Sequence, residues 1–133
     1  MSIAISTSLQ STFAEAVTRT RDALAAQGFG VLTEIDMKAT LKAKLGHDME
    51  NYLILGACNP PLAHRAVDID RQIGLLLPCN VVVRSDPADD SRVLVEAMNP
   101  QLLVRVTGEP ALQEVADEVT AKLRAAIDSL TQT

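Results

Sequence analysis

Two short segments of this chain carry most of its capacity for chemistry. Cys58-Asn59-Pro60 and Pro78-Cys79-Asn80 each place a thiol beside an Asn and near a Pro. Proline stiffens a turn, and Asn either bonds its own backbone or presents an amide to a ligand. A thiol at a loop edge, close to free backbone amides, can ionise early and act as a nucleophile. Two thiols with Met98 also make a donor set for a soft cation such as Cu(I), and His64 could add a nitrogen. Nothing here is spaced like a zinc motif. A catalytic cysteine needs a base, and spacing ties neither of the two histidines, His47 and His64, to a thiol. The plain alternative is that both cysteines pack as small hydrophobes, the common fate of free Cys. With no complete catalytic or ligand pattern around them, enzymatic chemistry and a cofactor are not expected.

Positioning these residues is the task of the strands. Apolar alternation predicts a third strand over 51–58, a fourth over 80–84 and a fifth over 92–98. If these three run as an antiparallel meander, the third ends where the fourth begins and the fifth returns. Cys58, Asn59, Cys79, Asn80, Met98 and Asn99 then gather at one rim of the sheet. Neighbouring strands lie ~5 Å apart, within reach of a disulfide or a shared ligand if the register agrees. Cys58, Asn59, Cys79 and Asn80 are therefore the ligand-binding candidates.

The remaining elements follow from period and punctuation. Residues 2–7 alternate as a first strand, with Ile3 and Ile5 on one face. Ser8 or Ser11 caps a helix with the stripe Phe13, Val17, Thr20 and Leu24, stopped by Gly28. A second strand covers 29–35, with Phe29, Val31, Thr33 and Ile35 on one side. Asp36 caps a short helix whose inner stripe is Met37, Leu41 and Leu45 and which Gly46 ends. Pro60 or Pro61 opens another helix to about Asp70, with Leu62, Ala66 and Ile69 inward. Residues 75–77 and 102–106 fit strand, helix or loop equally well. Asp86–Ser91 has the composition of a hairpin turn. Pro110 opens a last helix with the stripe Leu112, Val115, Val119, Leu123, Ile127 and Leu130. These elements predict one α+β domain over 1–133: an antiparallel sheet of about five strands, two long helices and two short inserted ones. Leu32, Leu53, Leu55, Val82 and Leu94 fall on the second faces of their strands. A second apolar face calls for cover, and a homodimer is the common solution.

Composition closes off other functions. The chain has 133 residues and a net charge of −5, and 47% of it is hydrophobic. That size supports a core without staples. The negative charge opposes phosphate backbones, and one Tyr, two Phe and no Trp leave no stacking platform for bases, so no nucleic-acid partner is expected. No apolar run approaches the ~18 residues of a membrane helix, and the first residues lack the pattern of a secretory signal. Two cysteines are too few for a disulfide scaffold. A cytoplasmic protein with reduced thiols and no membrane contact is the expectation.

Other polar residues have ordinary roles available. Lys38, Lys42 and Lys44 could make an anion pocket, but a solvated helix face explains them. Asp36 could serve as an acid or base, but it already has a capping job. His64 and Arg65 read as an exposed helical pair. Glu114, Asp117 and Glu118 suit the start of the last helix, where the dipole favours negative charge.

Taken together, the blocks Gly28-Phe29-Gly30-Val31-Leu32-Thr33-Glu34-Ile35-Asp36, Gly56-Ala57-Cys58-Asn59-Pro60 and Leu77-Pro78-Cys79-Asn80-Val81-Val82-Val83 resemble the bacterial and archaeal family catalogued as domain of unknown function number 302. The resemblance runs from about Phe13 to Leu130. It implies a TATA-binding-protein-like strand–helix–four-strand–helix layout and a homodimer, and it implies no activity. The family tends to have Asp where this chain has Asn99, which removes a carboxylate from the rim. The fold name carries no inference of DNA binding. Two readings result: a homodimeric module binding a small molecule or protein partner, and a thiol-dependent or soft-metal protein using Cys58 and Cys79.

Overall fold

The computed structural model describes residues 2–131. Five strands form one antiparallel sheet: β1 (Ala4–Gln10), β2 (Gly30–Asp36), β3 (Tyr52–Cys58), β4 (Cys79–Asp86) and β5 (Asp89–Met98). Their order across the sheet is β1-β5-β4-β3-β2, so the expected meander of the third, fourth and fifth strands is present, with β1 and β2 at the edges. Five helices accompany it: α1 (Phe13–Ala26), α2 (Met37–Leu45), α3 (Pro60–Ile69), α4 (Gln101–Thr107) and α5 (Gln113–Ser129). Two are long, as expected, and three rather than two are short. Residues 71–76 form a 3-10 turn, and Leu102–Val104, ambiguous by composition, belong to α4.

The core lies between one sheet face and the long helices. Leu53, Leu55 and Ala57 oppose Val83, Val81 and Cys79, which oppose Val95, Ala97 and their neighbours, and all are buried. Period-two alternation keeps them on one face. The α5 stripe Leu112, Val115, Val119, Leu123, Ile127 and Leu130 is buried throughout, as its three-and-four spacing predicts. Helix α1 contributes Ala16, Thr20 and Leu24, with Phe13 and Val17 half-buried beside them. Thr12, not Ser8 or Ser11, caps it by accepting from the Glu15 N–H at 3.2 Å, because β1 runs on to Gln10. Gly28, at φ +84°, takes the left-handed turn that follows α1.

Several expectations are corrected. Leu53 and Leu55 belong to the core face, not the second face. Both faces of β3 are apolar, so alternation alone could not say which was inside. Ile3 points to solvent, unlike Ile5. A register shift between Val31 and Thr33 puts Val31 opposite Ala57 but Thr33 opposite Gly56, so Phe29, Val31, Thr33 and Ile35 do not all share one side. Helix α2 buries nothing: Met37 and Leu41 are half-buried and Leu45 is 74% exposed. Its ends are as read, with Asp36 accepting from the Ala39 N–H at 2.9 Å and Gly46 left-handed at its end. Ile69 is exposed at the end of α3. Pro110 opens a single 3-10 turn before α5 rather than α5 itself.

Candidate functional site

The rim is real, but the sheet divides it. β3 ends at Cys58, β4 starts at Cys79 and β5 ends at Met98. Cys79 pairs with Ala57, and Asn80 pairs with Gly56. Because side chains alternate along a strand, Cys79 points with Ala57 into the core while Asn80 points the other way. Met98, paired with Ala4, is on the same open face as Asn80, and both line one groove there. Five of the six rim residues are thereby split between two separate spaces, Cys58, Asn59 and Cys79 at one and Asn80 and Met98 at the other.

On the core side is a cavity of about 40 Å³, bordered by Ala57, Cys58, Asn59 and Cys79 from the sheet rim and by Leu62 and Ala66 of α3. Phe29, Leu103 and Val119 complete an apolar wall. Asn59 stands at the N-cap of α3, and Pro60 fills the first helical position, where no N–H is missed. The Asn59 side chain does not cap; its Nδ2 donates to the Gln27 carbonyl at 3.3 Å, tying this turn to the end of α1.

Cys79 is buried, and the lack of solvent pushes its thiol up from 9.0 to about 11, with Cys58 adding a smaller push in the same direction. At neutral pH it is a protonated thiol, the inert form for attack or metal binding. Cys58 is half-buried. Its place in the ladder is one residue out of step with Cys79, and it borders the same cavity.

The other proposed donors lie elsewhere. His64 is exposed on α3, with Nε2 3.4 Å from Asp68, and does not border the cavity. Met98 is across the sheet from Cys79. Among the described residues, no three His, Cys, Asp or Glu side chains group as a metal ion would need. Asn99 is buried and structural: its Nδ2 donates to the Ser2 carbonyl at 3.1 Å and its Oδ1 accepts from the Gln101 N–H at 3.0 Å. Lys38, Lys42 and Lys44 are exposed on α2, with Lys42 paired to Asp48 at 2.9 Å.

The open face carries the second space, a groove of about 380 Å³ lined by Tyr52, Asn80, Val82, Glu96, Met98 and Leu102 among others. Glu96 of this lining accepts from the Arg84 Nε at 2.6 Å. Tyr52 and Leu102 had no reading as site residues, since only the strand order brings them beside Asn80. Phe29, Leu103 and Val119 were missed at the cavity for the same reason.

Comparison with known proteins agrees with this fold. The sequence model of the family described as Domain of unknown function DUF302 matches residues 5–130. A crystal structure of an uncharacterized conserved protein DUF302 from Bacillus stearothermophilus superposes with a TM-score of 0.87 at 28% identity, covering 96% of this chain and 98% of the other. No curated protein matches.

Proposed function

The chain belongs to the DUF302 family, and we propose that it is a small ligand-binding module, working as a homodimer, without catalytic chemistry of its own. The observation that carries the ligand half is the apolar cavity at the rim, which both cysteines border. Space of about 40 Å³ is well beyond one water on the scale where ~10–15 Å³ holds a water. An apolar lining leaves water few partners there, so a small apolar group is the better occupant. The test is an amide NMR spectrum of the full chain under xenon pressure or with 1-butanol. Shifts at Ala57, Leu62 and Cys79 are expected, and their absence overturns the reading.

The dimer half rests on the open sheet face. The long helices α1 and α5 pack on the opposite face, leaving Ile54, Val82 and Leu94 half-exposed here beside Leu102 of α4. The charges standing on this part of the sheet cancel in pairs, Arg84 with Glu96 at 2.6 Å and Arg92 with Asp86 at 3.0 Å. A second copy thus meets no net repulsion there, although the chain as a whole carries −5. Light scattering should give twice 14.3 kDa for the wild type and 14.3 kDa for Val82→Asp. A monomeric wild type overturns this half.

The strand–helix–four-strand–helix frame, with the short α2, α3 and α4 inserted into it, supports the TATA-binding-protein-like layout. The two unbridged thiols support a reducing, cytoplasmic setting. A thiol-dependent or soft-metal role is the second reading. It is favoured by the cavity that Cys58 and Cys79 share and opposed by the burial of Cys79.

A further inference from the structure

Two residues separate the rim cavity from a second, outer groove. Asn59 and Leu62 border the cavity, and they also line an open groove of about 600 Å³ on the molecular surface. This groove runs from Gln27 and Gly28, past α3, to Glu118 and Lys122 of α5. The Asn59 side chain is held by one long hydrogen bond to Gln27, at 3.3 Å. A Cβ at Gly28 would sit only 3.1 Å from the Asn59 Nδ2, so the glycine leaves the amide its place.

The groove has a charge of its own. Arg65 pairs with Glu118 at 2.5 Å. Lys122 has no ion-pair partner among the described residues. One positive charge is left over, on a chain whose net charge is −5. The groove therefore offers a place for a single negative charge, immediately outside an apolar cavity.

We propose that the groove and the cavity are the two halves of one site for a short-chain carboxylate. The carboxylate head sits at Lys122, and the alkyl tail passes Asn59 and Leu62 to lie beside Cys79. A single uncompensated cation matches a head of charge −1 rather than a phosphate dianion. The cavity volume of about 40 Å³ limits the tail to a few carbons, and butanoate is the probe taken for it. This inference rests on the cavity reading above and adds the head group to it.

The experiment titrates the full chain with sodium butanoate and separately with 1-butanol, followed by amide NMR. Butanoate should shift Gly28, Asn59, Leu62, Cys79 and Lys122 and bind about fivefold tighter than 1-butanol, the scale of one exposed ion pair. Lys122→Met should remove that advantage and leave 1-butanol binding unchanged. Ala66→Leu, which fills the cavity, should weaken both. Equal affinity for the two compounds, or butanoate binding that ignores Lys122→Met, overturns the carboxylate site and leaves the cavity reading standing. Failure of both compounds to move Leu62 and Cys79 overturns both.

Discussion

Cys79 stands directly across the β3–β4 ladder from Ala57, so Cys58, the next residue in the chain, is out of step with it by one. Two cysteines at a common rim are thereby assigned to different environments, one buried and one half-buried.

The first consequence is a difference in reactivity. Iodoacetamide should modify Cys58 in the folded protein at least ~10-fold faster than Cys79, because attack needs an accessible thiolate. Peptide mass spectrometry after timed quenching reads both sites. Equal rates, or a Cys58–Cys79 disulfide in non-reducing digests, would restore the thiol-dependent reading.

Stability should depend on pH through Cys79. Its folded pKa of about 11 lies above the ordinary 9.0, so the folded state keeps a proton that the unfolded chain releases. The stabilisation is complete below pH 9 and is lost as pH rises towards 11. Two pH units correspond to about 2–3 kcal/mol. Urea unfolding at pH 8 and pH 10.5 should show the loss in the wild type and a clearly smaller loss in Cys79→Ala.

Gly56 has no room for a side chain. A Cβ there would meet the Thr33 Oγ1 at 2.1 Å and the Pro78 Cγ at 2.8 Å. Gly56→Ala should cost about 1–3 kcal/mol, the range for forcing atoms into packed space. Thr33→Ala in the same chain should return part of that loss. Thermal unfolding of the single and double variants checks both, and an undisturbed Gly56→Ala would show that β2 yields easily.

Helix α2 buries no residue, so its order depends on its ends more than on packing. Asp36→Ala removes the bond to the Ala39 N–H and should cost about 1 kcal/mol of local stability. Amide exchange should speed up over residues 39–45 and stay unchanged in α5. Uniform acceleration would mean that α2 opens only with the whole molecule.

Much of this architecture was legible because burial on one face writes a period into the chain. The α5 stripe, the alternation of Val93, Val95 and Ala97, and the caps at Asp36 and Gly46 are all of that kind. What escaped was anything needing a register. The bulge in β2 exchanges the faces of Val31 and Thr33 without a glycine or proline between them to announce it. The meander correctly gathers Cys58, Asn59, Cys79 and Asn80 at one rim. It does not say that a one-residue step between Cys79 and Asn80 sends them to opposite sides of the sheet. Helix α4, at 7 residues, is too short for a period to emerge.

The strand order also sets a timetable for synthesis. β1 pairs only with β5, and Ala4 meets Met98. Of these five strands, β1 is made before the others and is the last to find its neighbour, while β2 and β3 can join into a hairpin long before. Throughout that interval Ile5 and Leu9 lack their ladder partners Ala97 and Val93, and the nascent chain must hold an unmated strand until β5 has been made.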